Sequence, residues 1–354
     1  LLAMQVALYE GSWEKYHKND EFAAATDQSA YFFGEVLRWG DMLFEQGIKL
    51  NTKETDGGVV NSGDAYGRLF NQNDYSNISE VLFWRKYSVT DGVFHALTGL
   101  VGGGVVDQDG PAGIAGDLVN TYLNADGTPV DPNNSKFKDF NETFKSRDLR
   151  LTETIMSTAK GSRPMKVADA SAGDKTINPP FLAGDGNAKN VTGYHIRLGV
   201  DTTYVSGDCE TGLVLMRYAD ALLSYAEAAE ELGKCDDEVL SKTLKPLRAR
   251  AGVTYVTPVR DPNFTDYGYT LTPVMQEIRR ERRVELALQG YRLDDLMRWA
   301  ADKVIVGKRG KGAYLGHDGI LYKSFAEDKH EALAKVLVDG NGWMDPLQES
   351  IPGG

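Results

Sequence analysis

Apolar residues recur at helical spacing in two segments at the start of the chain, residues 1–17 and 27–47. In each segment the apolar side chains repeat every three or four positions, which places them on one face of a helix. Gly11 predicts an interruption of the first helix, since glycine weakens a helix interior. Gly47 stands where the second pattern stops, as is typical of helix C-termini. The pattern therefore predicts an N-terminal helix pair.

The pattern changes twice over the next part of the chain. Residues 81–89, VLFWRKYSV, are rich in β-branched and aromatic residues and predict a short strand. From 91 to 212 the periodicity disappears, and glycine, proline, asparagine and aspartate interrupt the sequence throughout, as in NADGTPVDPNNS. So long a stretch without regular structure is uncommon inside a compact domain and usually carries function when it is ordered. We therefore divide the chain into residues 1–90, with the helix pair and strand, and an irregular region, 91–212.

Helical periodicity returns at residue 213. A first helix, LVLMRYADALLSYAEAAEELG, is predicted from residue 213 to Gly233. A second starts at Asp236 or Asp237, since aspartate is a favoured N-cap residue. Pro246 should kink or divide this second helix, because proline lacks the N–H that a helix interior needs.

Two more helices complete this region. A third is capped by Thr272, with proline at its first position, and is predicted to run to Gly290, while a fourth begins near Leu293. The four helices make two helix–turn–helix units of roughly 35 to 40 residues, the length of a tetratricopeptide unit. Residues 213–306 are therefore predicted to be tetratricopeptide-like. Residues 307–354 are predicted to be a C-terminal loop region with one short helix at HEALAKVL.

The third helix carries seven charges in nine residues, EIRRERRVE, residues 277–285. A basic patch for nucleic acid, a solvated face and an ion-paired joint between helices compete as explanations. The net charge of -12 and the pI near 5.0 argue against nucleic acid, which needs excess Lys and Arg. Flanking apolar residues place several of the charges at a helix interface, where buried charges are tolerated only in pairs. The pattern favours the ion-paired joint. Besides arginines of the same helix, the partners open to Glu281 and Glu285 are Arg248, Arg250, Arg292 and Arg298.

The rest of the composition narrows the protein class. Cys209 and Cys235 are too few for a disulfide framework and lack zinc-ligand spacing, so two free thiols are favoured over one disulfide. No run of about 18 apolar residues predicts a transmembrane helix. The chain opens inside an amphipathic helix, without a cap or a starting methionine. We therefore expect an internal fragment of a longer protein.

The sequence contains no specific motif for catalysis or cofactor binding. It has no HExxH, no GxSxG, and its glycine run GGGVVDQDGPAGIAG lacks the Lys-Ser/Thr of a phosphate loop. With 51 acidic residues, carboxylate pairs of the kind used in glycoside hydrolysis will arise by chance. Turns such as NADGTPVDPNN could hold a structural Ca²⁺, although solvated turns are favoured. We expect no cofactor and no catalysis.

Several stretches together resemble one protein family. MRYADALLSYAEAAEELG, LRARAG and IRRERRVELALQGYRLDDLMRW resemble the C-terminal signature of the SusD/RagB family, the surface glycan-binding lipoproteins of Bacteroidetes. Further landmarks of this family follow in its order: ALYEGSWEKYH, AYGRLFNQNDYSNISEVLFWRKY, GDLVNTYLNADGTPV, SRDLRL and TGYHIRLGVD. The family pattern would also include a signal peptide, a lipidated cysteine, further upstream helices and a downstream Pro-Ile-Pro segment, which are not in this sequence.

The resemblance implies both a fold and a function. The fold would be mainly α, an α–α superhelix of tetratricopeptide-like helix pairs in one domain over residues 1–354, with long loops forming a binding face. The protein would sit on the outer surface of the outer membrane, held by an N-terminal lipid anchor that this chain lacks. It would bind oligosaccharide or polysaccharide, without catalysis, for import through a partner SusC-like TonB-dependent transporter. Such a role belongs to polysaccharide utilisation and nutrient uptake.

Sugar-binding residues are expected in the long loops, where aromatic rings stack on the apolar C–H faces of sugars and polar groups bond their hydroxyls. The family's binding residues lie in variable loops, so no motif transfers them to this chain. The candidates are Phe94, His95, Arg163, Phe181, Asn187 and Tyr204. For each one the alternative of a side chain that anchors its loop stays open. Trp343 is also a loop residue, whereas a core position is expected for Trp13, Trp39, Trp84 and Trp299.

Two other functions remain open. A peptide- or protein-binding repeat scaffold predicts a concave helical groove, but it leaves the irregular region unexplained. A carbohydrate-active enzyme predicts release of reducing ends from the polysaccharide that it binds. The sequence does not indicate the sugar, although a chain with a net charge of -12 disfavours polyanions unless an arginine such as Arg163 or Arg197 lies in the site.

Overall fold

The computed structural model describes residues 1–52, 65–97, 113–156, 165–167, 175–177, 190–200, 209–325 and 327–346. Helices dominate this part of the chain, which confirms the prediction of a mainly α fold. The α-helices are α1 Leu2–Tyr16, α2 Ser29–Phe44, α3 Gly116–Thr121, α4 Leu149–Thr154, α5 Tyr218–Glu231, α6 Asp237–Lys242, α7 Leu244–Arg250, α8 Pro273–Glu285, α9 Tyr291–Arg298, α10 Ile320–Lys323 and α11 His330–Leu333. The strands are β1 Val81–Arg85, β2 Ile155–Met156, β3 Met165–Val167, β4 Lys175–Ile177, β5 His195–Ile196 and β6 Leu213–Arg217. Short 3₁₀ helices lie at Gly67–Phe70, Ser135–Lys138, Phe140–Phe144, Asp302–Val304 and Glu327–Lys329.

The strands form three two-stranded antiparallel ribbons, β1 with β6, β2 with β5, and β3 with β4. Within the described ranges, no helix combines the length and the apolar character needed to cross a membrane. Cys209 and Cys235 do not form a disulfide with each other. The assignment of residues 1–354 to a single domain stays a prediction.

The predicted N-terminal helix pair is confirmed. Helices α1 and α2 pack on each other and on α5 through buried side chains that include Met4, Leu8, Phe33 and Val36. The interruption predicted at Gly11 is wrong. A Cβ atom at Gly11 would lie 3.1 Å from the ring of Phe33, so this glycine lets α2 approach closely while α1 continues unbroken.

Helices α5 to α9 surround a second apolar cluster that includes Leu222, Leu247, Ile278 and Trp299. The predicted division of the second helix is confirmed, since α6 ends and α7 begins on either side of Thr243. Proline at position 246 cannot donate to the carbonyl of residue 242, which removes one hydrogen bond across the division.

Helix α8 begins as predicted and ends earlier. The Thr272 hydroxyl accepts a hydrogen bond from Met275 N at 3.0 Å, which is the expected N-cap contact. The helix ends at Glu285, and Leu288 then adopts a left-handed backbone conformation with φ of 62° before Gly290. Helix α9 then starts at Tyr291, two residues before the position predicted.

The prediction of a helix from residue 213 is wrong, because residues 213–217 form strand β6. This strand pairs with β1, with Trp84 opposite Val214 and Arg85 opposite Leu213. The predicted strand at 81–89 is thereby confirmed for Val81–Arg85. A short apolar run such as LVLM fits a strand as well as a helix, and only the pairing partner decides between them.

The irregular region contains more regular structure than the sequence indicated. The short elements α3 and α4 and the 3₁₀ helix Phe140–Phe144 contribute to a third apolar cluster, together with the C-terminal region and Val284 of α8. Backbone hydrogen bonds join these segments, including Ala313 N to the Thr192 carbonyl at 2.7 Å and Gly116 N to the Lys311 carbonyl at 2.7 Å. The C-terminal region is therefore packed against the irregular region.

The charges of α8 form the ion-paired joint that the sequence predicted. Glu285 accepts hydrogen bonds from the guanidinium groups of Arg150, Arg217 and Arg250, all in the interior. Glu281 accepts from Arg248 Nε at 3.2 Å. Arg248 and Arg250 were expected as partners, whereas Arg150 and Arg217 were not among the expected ones.

Two of the expected partners bind elsewhere. The Arg298 guanidinium donates to both carboxylate oxygens of Glu227, at 2.5 and 2.8 Å. The Arg292 Nη2 atom lies 3.5 Å from the Tyr267 hydroxyl. Both arginines belong to α9, whose orientation relative to α8 turns them away from Glu281 and Glu285.

Candidate functional site

The ribbon formed by β1 and β6 presents exposed apolar and aromatic side chains on one face. Phe83 is 55% exposed, and Leu213 and Leu215 are also exposed. Arg85 shares a side of β1 with Phe83, since alternate residues of a strand point the same way, and it lies opposite Leu213 on β6. We call Phe83, Arg85, Leu213 and Leu215 the ribbon face.

The other side of the ribbon is packed on the body of the protein. The Trp84 ring meets the Tyr75 ring edge-on, with centroids 5.3 Å apart. A Cβ atom at Gly212 would lie 2.8 Å from both rings, so this close approach requires glycine. Gly212 N donates to the Gln72 carbonyl at 2.8 Å. These contacts hold the ribbon in place.

The chain after β1 forms a tight hairpin that returns toward β6. Ser88 and Val93 exchange backbone hydrogen bonds of 2.7 and 3.0 Å around a turn that places Gly92 at φ of 70°. His95 and Cys209 then exchange backbone hydrogen bonds of 3.1 and 2.9 Å. Residues 88–97 are thus tied to the ribbon and extend its surface.

Two predicted site residues lie in this hairpin. Phe94 is 47% exposed and its ring is accessible to a ligand. The His95 Nε2 atom lies 2.8 Å from the Thr211 carbonyl oxygen, and its ring meets the Tyr87 ring edge-on at 4.6 Å. These contacts are those of a loop anchor, the alternative left open for this residue. Four candidates lie outside the described residues: Arg163, Phe181, Asn187 and Tyr204.

Arg85 is a candidate that sequence reasoning missed. Its guanidinium carbon lies 5.2 Å from the centroid of the Tyr87 ring, and no described carboxylate lies within ion-pairing distance of it. The neighbouring Lys86 lies 3.8 Å from Asp74. The alternation in FWRKY could have indicated that Phe83, Arg85 and Tyr87 share a side, but not that this side is exposed.

A cleft of about 660 Å³ lies between α4, α5 and α7, and no residue of the ribbon face lines it. Leu149, Leu222 and Ala249 supply apolar walls, and Arg250 is one of the charged residues that line it. The Tyr66 ring also lines the cleft, but it is buried and its hydroxyl donates to the Glu285 carbonyl at 2.9 Å. The cleft therefore offers apolar walls, paired charges and the half-buried ring of Tyr218.

Among the described residues, no cluster of three or more His, Cys, Asp or Glu side chains is arranged to hold a metal ion. In the turn considered for Ca²⁺, Asp126 accepts from Thr128 N at 2.9 Å and Asp131 accepts from Asn133 N at 2.9 Å. These carboxylates stabilise their own turns. The expectation that the protein needs no cofactor stays a prediction.

The tryptophans divide by exposure. Trp299 is fully buried, which confirms its predicted core position. The core position predicted for Trp39 is wrong, since its side chain is 36% exposed and the Arg38 guanidinium lies 4.2 Å from its ring centroid. An intermediate burial is shared by Trp13, Trp84 and Trp343.

The sequence profile of the SusD family matches residues 101–343, more than half of the chain. The chain belongs to the SusD family. The resemblance seen in the sequence is thereby confirmed, and membership agrees with the expected lack of catalysis. None of the curated protein sequences matches this chain.

Solved structures show the same fold. A SusD-like protein from Bacteroides fragilis NCTC 9343 is 19% identical, with a TM-score of 0.60 over 88% of this chain and 56% of that one. A SusD-like carbohydrate binding protein from the same strain is 20% identical, with a TM-score of 0.57 over 97% of this chain and 57% of that one. A structure with a xylogluco-oligosaccharide is 17% identical, with a TM-score of 0.50 over 86% of this chain and 51% of that one. This SusD-family chain thus spans somewhat more than half the length of these relatives.

Proposed function

We propose that this SusD-family protein binds oligosaccharide or polysaccharide without catalysis, through the ribbon face and the adjoining hairpin. The observation that carries the proposal is the exposure of Phe83 on the ribbon and of Phe94 on the adjoining hairpin, both held in place by backbone hydrogen bonds and packing. Aromatic rings offer large apolar surface to the C–H faces of sugars. A surface that is ordered before binding loses little conformational entropy on binding.

The relatives support the class of ligand. One is described as a carbohydrate binding protein, and another was solved with a xylogluco-oligosaccharide.

Affinity electrophoresis in native gels cast with neutral and acidic polysaccharides tests the proposal. We expect one or more glycans to retard the wild type, and Phe83→Ala and Phe94→Ala to weaken the retardation several-fold. Tyr31→Ala is the matched control, since Tyr31 is 62% exposed on α2, away from the ribbon. Equal retardation of all four proteins would place the ligand on another surface. Absence of retardation by every glycan, or release of products on long incubation, would contradict glycan capture without catalysis.

We further propose that the full-length protein is lipid-anchored on the outer surface of the outer membrane and passes its glycan to a SusC-like TonB-dependent transporter. Membership of the SusD family supports this role. Purification of the tagged full-length protein from outer membranes should recover such a transporter in about equal amount. An unrelated surface lipoprotein with the same tag is the control, and recovery of the transporter with both proteins would contradict a specific partnership.

The cleft between α4, α5 and α7 supports one alternative, the binding of a peptide. Its apolar walls and the exposed Lys49 and Lys242 at its edge suit an apolar peptide with acidic residues. Leu149→Glu would introduce a like charge into such a site. If this variant lost a peptide ligand while glycan retardation stayed unchanged, the cleft and the ribbon face would serve different ligands.

A further inference from the structure

Arg85 differs in its contacts from most arginines that the structure describes. Those of α7, α8 and α9 mainly donate to carboxylates, and Arg147 donates to four backbone carbonyls. Arg85 is exposed on the ribbon face, and no described carboxylate or carbonyl accepts a hydrogen bond from it. Among the described residues, therefore, none competes with a ligand for its donors.

The position of this guanidinium is set by a chain of contacts. It lies over the Tyr87 ring at 5.2 Å, and the Tyr87 ring is held edge-on by His95 at 4.6 Å and 84°. His95 is in turn held by the Thr211 carbonyl at 2.8 Å and by its backbone pairing with Cys209. An arginine restrained in this way loses less side-chain entropy when it binds than one extended into solvent.

The surroundings of Arg85 favour an anionic group over a neutral one. Phe83 lies two residues away on the same side of β1, and Leu213 lies opposite on β6. Apolar neighbours reduce the hydration of a bound ion and strengthen its attraction to the guanidinium. The planar fork of arginine matches a carboxylate with two parallel hydrogen bonds.

Because the whole chain is negatively charged, the binding of an acidic sugar depends on a cation at the site itself. The chain carries a net charge of -12, so it repels polyanions at long range. The neighbouring Lys86 is partly offset by Asp74 at 3.8 Å. An acidic sugar on the ribbon face is therefore favoured over its neutral counterpart only through direct contact with a cation, and Arg85 is the guanidinium that this face supplies.

We propose that the ribbon face selects acidic glycans, with a uronic acid carboxylate paired to Arg85 and a neighbouring sugar ring packed on Phe83. This inference rests on the proposed glycan-binding function and identifies its substrate class. It also assigns the selecting role to a residue on a strand rather than in the long loops.

Ligands that differ only in the charge of their carboxyl groups test whether Arg85 selects an anionic sugar, because their sugar rings are the same. Isothermal titration calorimetry is performed with oligomers of galacturonic acid and of glucuronic acid-substituted xylan, each as the free acid and as its methyl ester. We expect the wild type to bind at least one free acid about fivefold to tenfold more tightly than its ester, the range of one charge-assisted hydrogen-bonded pair at a partly exposed site. Arg85→Gln should abolish this preference, and Arg85→Lys should retain part of it.

Arg38→Gln is the matched control, because Arg38 is also exposed and also lies over an aromatic ring, that of Trp39. It should keep the preference of the wild type. Equal affinity of the wild type for acid and ester, or an undiminished preference in Arg85→Gln, would overturn the inference. Binding of neutral glycans alone would overturn the selection of acidic sugars and leave glycan capture intact, whereas no binding to any glycan would overturn both.

Discussion

Arg150 Nη1 lies 2.6 Å from Glu285 Oε2, and both side chains are at most 2% exposed. Arg150 belongs to α4 in the irregular region and Glu285 to the last turn of α8, so this ion pair joins the loops to the helices. Glu285 also accepts hydrogen bonds from Arg217 and Arg250. Burial alone would raise the pKa of Glu285, but the three guanidinium groups hold it well below its ordinary range.

Replacement of Glu285 by glutamine should strongly destabilise the protein. The variant leaves three buried guanidinium groups short of one negative charge, and breaking a buried ion pair in this way costs about 3–5 kcal/mol. Urea unfolding followed by circular dichroism measures the change in the free energy of unfolding. Glu238→Gln is the control, since Glu238 and its partner Lys242 are exposed and a surface pair contributes little. Equal losses in the two variants would contradict a central role for Glu285.

Stability should fall in acid partly because of Glu227. Burial alone would raise its pKa, but the Arg298 guanidinium and further arginines lower it from 4.5 to about 2. Because the folded-state pKa is the lower one, the contribution is present above pH 4.5 and is lost as the pH falls toward 2. At about 1.4 kcal/mol for each pKa unit, this contribution is about 3 kcal/mol.

The Glu227→Gln variant tests this contribution. The difference in unfolding free energy between the wild type and the variant should be largest at pH 7 and should shrink as the pH falls from 4.5 to 2. Trp299 reports on the site, since its Nε1 donates to Glu227 Oε1 at 2.7 Å. A difference that stays constant across this pH range would show that the carboxylate is not held ionised by its neighbours.

Cys235 should react slowly in the folded protein. Burial, followed by the charges of Glu230 and Asp236, raises the pKa of its thiol to about 12. At pH 8 the reactive thiolate is then about a hundredfold to a thousandfold scarcer than for an ordinary cysteine. Cys209→Ser leaves Cys235 as the single thiol, and its labelling by a chromogenic disulfide should accelerate sharply in urea. Rapid labelling of the folded variant would contradict the raised pKa.

Two glycines of α2 should respond in opposite directions to alanine. A Cβ atom at Gly40 would lie 2.4 Å from Cδ2 of the Tyr225 ring, whereas nothing lies within 4 Å of a Cβ atom at Gly34. Gly40→Ala should destabilise the protein by about 1–3 kcal/mol through overpacking. Gly34→Ala should stabilise it by about 0.5–1 kcal/mol, the difference in helix propensity. Thermal unfolding of both variants measures the contrast, and a loss in both would indicate that α2 needs glycine for another reason.

Local chemistry explains why much of the helical frame was predicted correctly. The Thr272 cap, the division near Pro246 and the pairing of α1 with α2 each depend on residues close together in sequence. The prediction for Gly11 was wrong because this glycine makes room for the close packing of α2, which is a tertiary contact. Helix propensity, on which the prediction relied, does not report such a contact.

The candidate site was harder to predict than the frame. Phe94 was found because it is an aromatic residue in a long loop, but the same reasoning selected His95, whose ring is held by Thr211 and Tyr87. Arg85 was missed because a strand pattern does not say which side faces solvent. That side is decided by Trp84 and Tyr75, which pack on the opposite face.

By itself the sequence determined the family, the mainly α frame and the presence of a buried, ion-paired helix, because periodicity, caps and a dense run of opposite charges act over a few residues. Only the tertiary structure decided that residues 213–217 form a strand, since the partner strand β1 lies in a distant segment. It also decided which arginines neutralise Glu285 and that Arg85 lies at the surface without a carboxylate partner among the described residues. Coulombic and packing contacts require side chains to be close in space. Side chains far apart in the sequence come close together only when the chain folds.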